Sequence, residues 1–476
     1  MNFTPKIGLE VHVQLQTESK LFCSCSNSFG KSPNSQTCPV CLGMPGALPS
    51  PNRQAIDMAI MLALALECEI PETCKFDRKN YFYHDLPKGY QVTQYENPLG
   101  RNGKLSIYNA SEARNIRINR IHIEEDAGKS IHGEFETLID YNRAGVPLVE
   151  IVTEPDIASS QEAYSFLFEV RRLVKWLGIC DGSLEEGSLR CDANISLINE
   201  TNPDGVPVEI KNLNSLHGVE RALNHEIQRQ TRLLAQGKMI VRETRMWDED
   251  ACITSPLRSK EGEDDYRYFP DPDLLPLTIS SEMINRLKNE MPEPPSERKK
   301  RFVNSLKMRQ LDADVILSDR NVADYFEDVY NKCFELDITV RWITGEALRW
   351  RQEIDGGKSF PVPAKSTARL IQLEKSGQIT VSSAKKIYEI MARENLTDPD
   401  ALATRENLWG TLDSTKALEL VIQVLNTNKD AVRRYKSGSM NIFNLFMGQI
   451  LKIAEGKVSP DLVKELLLKA LQSEDN

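Results

Sequence analysis

The stretch Ile7-Gly8-Leu9-Glu10-Val11-His12-Val13-Gln14-Leu15 alternates apolar and polar positions at period two, which predicts a half-buried strand with Glu10, His12 and Gln14 on one face. The same alternation recurs at Ile116-Arg117-Ile118-Asn119-Arg120-Ile121-His122-Ile123-Glu124 and at Leu189-Arg190-Cys191-Asp192-Ala193-Asn194-Ile195-Ser196-Leu197. Between such runs lie segments of helical period at Arg53 to Leu66, Ser160 to Leu177 and Gly218 to Gln236. Strands and helices mix without regular β-α-β alternation, so residues 1–290 read as an α+β domain around a largely antiparallel sheet.

Outward from that domain the pattern changes. Met291-Pro292-Glu293-Pro294-Pro295 excludes helix and makes a stiff connector. Residues 291–410 carry helical patterns with few strands, and a further boundary is expected near residue 410. The last segment, 411–476, ends in a helix with Ser459 as N-cap, Pro460 at the first helical position and an apolar stripe of Leu462, Val463, Leu466, Leu467, Ala470 and Leu471. That stripe reads as the core face of a small bundle.

At 476 residues, two or three domains are expected, and 40% apolar with 27% charged residues exclude a disordered or fibrous chain. The longest apolar run, Met58 to Leu66, is too short to span a membrane, and the first residues lack a signal-peptide core. The expected location is cytoplasmic. A net charge of -10 speaks against a uniformly basic nucleic-acid-binding surface. The charge is unevenly spread: residues 1–290 hold 31 Lys+Arg and 42 Asp+Glu, residues 291–410 hold 19 and 19, and residues 411–476 hold 9 and 8. The acidity therefore belongs to the first domain.

Four of the ten cysteines, Cys23, Cys25, Cys38 and Cys41, form a C-x-C pair and a C-x-x-C pair split by a polar loop. Two clipped thiolate pairs suit tetrahedral zinc, and with no further ligand nearby the site reads as closed and structural. Reduced loop thiols or a redox pair are the plainer alternative. The other six cysteines are scattered singly and read as small, semi-buried residues.

Carboxylates in the first domain coincide with strand periodicity, at Glu10 with His12, at His122-Ile123-Glu124-Glu125-Asp126-Ala127-Gly128-Lys129-Ser130, and at Glu150 and Glu154. Hard cations need several oxygens converging from different segments, and Mg²⁺ is commonly held by one or two carboxylates plus water and substrate phosphates. Glu185-Glu186 and Asp248-Glu249-Asp250 read instead as solvated faces. No phosphate loop, dinucleotide fingerprint or hydrolase elbow occurs, so any ATP is bound by another architecture. Lys75 to Tyr83 and Glu261 to Pro270 interleave charges with rings, a composition equally suited to a polar tunnel, a phosphate-bearing substrate or a hydrogen-bonded core edge.

The runs Ile7-Gly8-Leu9-Glu10-Val11-His12-Val13, Phe76-Asp77-Arg78-Lys79-Asn80-Tyr81-Phe82-Tyr83, Glu124-Glu125-Asp126-Ala127-Gly128-Lys129-Ser130, Tyr141-Asn142-Arg143-Ala144-Gly145-Val146-Pro147-Leu148, Glu185-Glu186-Gly187-Ser188-Leu189-Arg190-Cys191-Asp192-Ala193-Asn194 and Asp264-Asp265-Tyr266-Arg267-Tyr268-Phe269-Pro270 together resemble the GatB/GatE family, the B subunits of tRNA-dependent amidotransferases. The resemblance is dense over residues 6–277 and continues more weakly to the C-terminus. It implies a cradle domain related in fold to glutamine synthetase and the guanidino kinases, with the zinc insertion at about 23–41, then an all-α helical domain and a small α-helical tail that helps hold tRNA. It implies a heterotrimer with an amidase subunit (GatA) and a small subunit (GatC). ATP would activate the side-chain carboxylate of misacylated Glu-tRNA(Gln) or Asp-tRNA(Asn), and ammonia released from glutamine by the amidase subunit would displace the phosphate.

Within that resemblance Glu10, His12, Glu124, Glu125 and Glu150 are the candidates for an Mg²⁺-ATP site, although strand alternation puts Glu124 and Glu125 on opposite faces unless a bulge intervenes. Lys79 and Glu125 are candidates for the wall of an ammonia passage or for substrate contact, and Cys23, Cys25, Cys38 and Cys41 for structural Zn²⁺. Lys429, Arg433, Arg434, Lys436 and Lys452 are candidates for tRNA phosphates, or equally solvated surface. Two departures stand out: His84 where the family commonly has proline, and Asn444 at a usual glycine position. The competing readings are a non-catalytic zinc-bearing RNA-binding or assembly subunit, and a stand-alone ligase of the glutamine synthetase kind.

Overall fold

A computed structural model describes residues 3–109, 112–133, 135–200, 203–259, 266–410, 414–437, 441–454, 458 and 460–473. Ser459 and Glu261 to Asp265, singled out above, lie outside the described residues. The chain divides into two compact units, Met1–Pro294 and Pro295–Asn476, and the division falls within the proline-rich connector.

The first unit is mixed α/β. Its strands, in chain order, are β1 (Thr4–Gln14), β2 (Thr73–Cys74), β3 (Asp77–Asn80), β4 (Tyr90–Thr93), β5 (Gly100–Asn109), β6 (Glu112–Glu125), β7 (Lys129–His132), β8 (Thr137–Asp140), β9 (Pro147–Thr153), β10 (Leu189–Ile198), β11 (Val208–Leu213), β12 (Glu243–Asp248), β13 (Ile253–Ser259), β14 (Phe269–Pro270) and β15 (Leu277–Thr278). Eight of them make one sheet in the order β13-β12-β11-β10-β1-β9-β6-β5. All its pairings are antiparallel except β11 with β12.

β1 sits inside this sheet because its alternation serves two environments. Ile7, Leu9, Val11 and Val13 are fully buried, whereas Glu10, His12 and Gln14 on the opposite face are half-buried. The apolar face packs against α1 (Arg53–Ala65), α2 (Ser160–Leu177) and α3 (Leu216–Ala235), whose buried Ile56, Ile60, Phe166, Val170, Val219 and Leu223 join the same core. The helix ends follow local chemistry. Asn52, Ser159 and Ser215 cap the three N-termini, and α2 stops at Gly178 in the left-handed conformation, which glycine adopts without a Cβ penalty. The expected helix at 160–177 coincides with α2, and the other two differ from expectation only at their ends. The polar face of the sheet borders a cavity that residues of β3 and β4 also line.

From Ser281 onward every described element is helical. Within the second unit, Ala417, Val421, Val424, Leu425, Phe446, Ile450, Val463, Leu467 and Leu471 belong to a hydrophobic cluster of their own. In the final helix, Pro460–Ser473, Val463, Leu467, Ala470 and Leu471 are buried and Leu462 and Leu466 partly so, as the apolar stripe predicts. No described helix is long and apolar enough to cross a membrane.

Candidate active site

Register brings the polar residues of three neighbouring strands into line. His12 of β1 pairs with Glu150 of β9, and Glu150 pairs on its other side with His122 of β6; Glu124 lies two residues further along β6. His12 Nε2 lies 3.2 Å from Glu150 Oε2 and 3.6 Å from Glu124 Oε1, and His122 Nε2 lies 3.6 Å from each of those carboxylates. Ligand atoms of His12, Glu124 and Glu150 all fall within 4.8 Å of one another. Burial works against a charged His12 imidazole, but the hydrogen bond to Glu150 and the charges of Glu150 and Glu124 outweigh it and lift its pKa to about 9. Burial likewise opposes ionisation of Glu150, yet His122 and His12 hold that carboxyl below its ordinary range.

This donor set suits a divalent cation. Two carboxylates fit Mg²⁺, and the imidazole admits Mn²⁺ as well. His12 ligates only as neutral imidazole, so a cation there replaces the proton that Glu150 and Glu124 otherwise retain. His122 turns its Nε2 to the cluster, and its Nδ1 is buried without a hydrogen-bond partner among the described residues.

The cluster opens into a chamber of about 590 Å³. At one end Glu10 accepts from Asn194 Nδ2 at 3.0 Å, and Lys211 is ion-paired to Asp192 and Glu209. Burial raises the Glu10 pKa, and Glu150 and Asp192 add to the effect. At the other end stand Lys79, Tyr81, Tyr266 and Tyr268. The Lys79 ammonium lies 5.6 Å from the Tyr81 ring and 4.9 Å from the Tyr266 ring, and Tyr268 stacks on Tyr95 with centroids 4.0 Å apart. Arg190, paired to Asp126 at 2.7 Å, also lines the chamber.

Glu125 is elsewhere. No register shift separates Glu124 from Glu125, so plain alternation turns their side chains to opposite faces of β6. Glu125 is buried, ion-paired to Lys88, and accepts from Val92 N at 2.9 Å. It lines a second cavity of about 230 Å³ together with Cys23, Cys41, Gly43, Arg78, Tyr90 and Asp271. The expected set of five is therefore divided: His12, Glu124 and Glu150 converge, Glu10 lies further along the same chamber, and Glu125 does not enter it. For the same reason Lys79 and Glu125 are not brought together. Glu154 stays outside both cavities and accepts from Asn119 at 2.7 Å.

The second cavity borders the cysteine loop. Ligand atoms of Cys23, Cys25, Cys38 and Cys41 lie within 4.8 Å of one another, a four-thiol set that fits tetrahedral zinc. The Cys23 thiol, backbone N–H of Cys38 and buried Lys20 favour the Cys41 thiolate against the cost of burial, holding its pKa near 4, while burial and the Cys38 contact push Cys25 up to about 11. Lys20 Nζ lies 3.7 Å from Cys41 Sγ. Gly43, at φ +64°, lies so close to Lys88 that an added Cβ would sit 2.4 Å from its Cγ. The thiol loop and the Lys88–Glu125 pair are thus in contact.

His84, the departure from the family pattern, is built into its loop: its Nε2 and Ser130 Oγ are 2.7 Å apart, and its carbonyl accepts from Tyr141 OH at 3.0 Å. Asn444 is an exposed position of the helix Ile442–Ile453. Lys429, Arg433, Arg434, Lys436 and Lys452 are all exposed, the first four on or ending the helix Lys429–Lys436. Glu185, Glu186, Asp248, Glu249 and Asp250 are exposed.

Sequence reasoning missed Lys88, Glu209 and Lys211. Glu209 and Lys211 lie on one face of the alternating run Val208-Glu209-Ile210-Lys211, the same signal that marks Glu10 and His12. Lys88 follows a proline in a loop, where no periodicity exists to mark it.

Residues 5–285 match the family model described as the GatB/GatE catalytic domain, and residues 324–471 match the model described as the GatB domain. The chain is 43% identical over 477 residues to the B subunit of the aspartyl/glutamyl-tRNA(Asn/Gln) amidotransferase of Thermodesulfovibrio yellowstonii, covering 99% of this chain and all of that protein. It is 45% identical over 479 residues to the B subunit of the same name from Chlorobium phaeobacteroides and 42% identical over 480 residues to that from a Geobacter species, with the same coverage.

Proposed function

The chain belongs to the GatB/GatE family of aspartyl/glutamyl-tRNA(Asn/Gln) amidotransferase B subunits, and from that premise we propose that its first unit phosphorylates the side-chain carboxylate of a misacylated tRNA and then lets ammonia displace the phosphate. The activity is that of a glutamine-hydrolysing tRNA amidotransferase, a ligase of protein biosynthesis. The catalytic reading therefore stands over that of a non-catalytic RNA-binding subunit. Glutamine is the source of the ammonia, released by an amidase subunit, and a small third subunit completes the heterotrimer, working in the cytoplasm.

The observation that carries the proposal is the convergence of His12, Glu124 and Glu150 within one chamber. A carboxylate is a poor electrophile, whereas its mixed anhydride with phosphate has a good leaving group. In the first step a carboxylate oxygen of Glu-tRNA(Gln) or Asp-tRNA(Asn) bonds to the γ-phosphorus of ATP as the bond to the β-bridging oxygen breaks. In the second, ammonia adds to the acyl carbon, phosphate departs and a proton is lost. A divalent cation held by His12, Glu124 and Glu150 would offset charge on the transferring phosphoryl group. Glu10, with Asp192 and Glu209 around Lys211, would serve the nucleotide end of the chamber.

Ammonia attacks only when unprotonated, which favours an enclosed route. Glu125 and Lys88 border the second cavity, across β6 from the chamber, and we assign that cavity to the route. Zinc on the four cysteines would be structural and would brace the loop against Lys88. Residues 1–290 would form the cradle, 291–410 a helical domain and 411–476 a tRNA-holding tail; the separate apolar cluster from Ala417 to Leu471 supports that last division. The exposed cations Lys429, Arg433, Arg434, Lys436 and Lys452 would meet tRNA phosphates.

The test is amidation of Glu-tRNA(Gln) and Asp-tRNA(Asn) by the reconstituted trimer, with ATP and ammonium supplied directly. A Glu10→Gln, His12→Ala double substitution is expected to abolish conversion of both. Conversion at the normal rate would refute the catalytic assignment.

A further inference from the structure

The chamber is rich in carboxylates, and the cations that line it are mostly committed. Arg190 is paired to Asp126, and Lys211 to Asp192 and Glu209; Arg242 is exposed at the rim. Lys79 differs from all three. It is half-buried and, among the described residues, has neither a carboxylate within ion-pair distance nor a hydrogen-bond acceptor.

Its position is nevertheless fixed. β3 pairs Lys79 with Gln91 of β4, and Asn80 N, one residue on, donates to Tyr266 O at 2.8 Å. The ammonium is flanked by the rings of Tyr81 and Tyr266, whose faces attract a cation without neutralising it. Phenol rings give the ammonium a place; its charge reaches the Glu150 carboxylate through space without forming an ion pair, and a half-buried charge so held beside the cluster is a binding determinant for an anion.

Two anions enter the proposed reaction, the polyphosphate and the substrate carboxylate. The nucleotide end is the side of β10 and β11, where Glu10, Asp192, Glu209 and Lys211 gather. Lys79 comes from β3, which is outside the eight-stranded sheet and pairs with β4 and β14. Resting on the reading of the chamber as the phosphorylation site, we propose that Lys79 binds the side-chain carboxylate of the aminoacyl ester and aims it at the γ-phosphorus, with Tyr81 and Tyr266 as positioning residues for the ammonium. Lys79 is thereby a substrate-binding residue that discriminates the acid from its amide product, and has no part in the ammonia route.

The assembled trimer carrying Lys79→Met, with Lys79→Arg beside it, tests this. The first readout is Glu-tRNA(Gln)-dependent release of ADP with no nitrogen donor present, which reports phosphorylation alone. The second is KM for Glu-tRNA(Gln) in ammonium-supplied and glutamine-supplied amidation, and the third is inhibition by the product Gln-tRNA(Gln). For Lys79→Met a rise in KM and a fall in ADP release of about 10- to 100-fold are expected, equal for both nitrogen sources, with the preference for Glu-tRNA over Gln-tRNA flattened. ATP affinity and thermal stability should stay unchanged, and Lys79→Arg should restore most of the discrimination.

Normal ADP release with loss of glutamine-supplied amidation alone would overturn the proposal in favour of a passage wall. Weakened ATP binding would overturn it in favour of a nucleotide contact. Equal failure of both variants with a fall in thermal stability would make Lys79 a structural prop and overturn it too. If the wild-type trimer released no ADP in response to Glu-tRNA(Gln), the underlying reading of the chamber would fail first, and visibly so.

Discussion

Glu124 and Glu125 are adjacent in sequence and belong to different cavities, so substituting each by glutamine should separate two functions. Glu125→Gln keeps an oxygen to accept from Val92 N but removes the charge opposite Lys88. The side chains of the pair are only 13% and 4% exposed. Breaking a buried pair from one side costs roughly 3–5 kcal/mol, and because Lys88 borders a polar cavity that water can enter, about 2–3 kcal/mol is the expected loss here. The loss is read as a lower urea midpoint at unchanged m-value. In the assembled enzyme, Glu125→Gln should lower glutamine-supplied amidation about tenfold or more while ammonium-supplied amidation changes little. Glu124→Gln removes a donor from the cluster that holds His12 and should depress both by about 100-fold. The comparison of nitrogen sources is the assay. Equal loss of ammonium-supplied activity in the two variants would refute the division of labour drawn from the register of β6.

Other consequences can be measured on the isolated chain and on the assembled enzyme. Gly43→Ala forces a side chain onto a left-handed residue and into Lys88, so a loss of about 1–2 kcal/mol is expected, together with reduced glutamine-supplied activity once assembled; an unchanged melting temperature would contradict the packing. Purified protein should carry about one equivalent of zinc, and its chelation should lower thermal stability without altering the divalent-cation dependence of amidation. Glu226 is fully buried and bonded to Arg229, Gln230 and Thr254. Burial opposes its ionisation, but Arg229 and Gln230 hold its pKa below the ordinary carboxylate value. The stability it supplies is complete above the unfolded carboxyl pKa near 4.3 and is lost as pH falls through the lower folded value. Unfolding free energy measured downward from pH 5 should therefore fall more steeply for the wild type than for Glu226→Gln.

Much of the first unit was legible because one physical rule governs it. A strand buried on one face must alternate, so β1, β6 and β10 declare both their course and the side on which Glu10, His12 and Glu124 stand. Helices declare themselves through caps such as Ser159 and Gly178. Which strands become neighbours is a property of the sheet as a whole, and nothing local reports that His12 of β1 meets Glu150 of β9, far along the chain. The partition of Glu124 from Glu125 hung on the position of a bulge, which falls near Ile118 and Arg120, too far back to disturb them. Lys88 was invisible, since a loop residue gains its meaning only from what folds against it.

β6 is a common wall with a carboxylate facing each chamber from successive residues. At Glu124 and Glu125 its backbone pairs with β9 alone, since the β5 pairing ends at Ile121, and on the other side Gln91 Nε2 donates to the Glu125 carbonyl at 2.8 Å. Glu125, paired with Lys88, and Glu124, beside His12, therefore share one peptide link between the two cavities. On the proposed assignment of the two cavities, nitrogen delivery and phosphoryl chemistry would be served from the two sides of a single peptide unit.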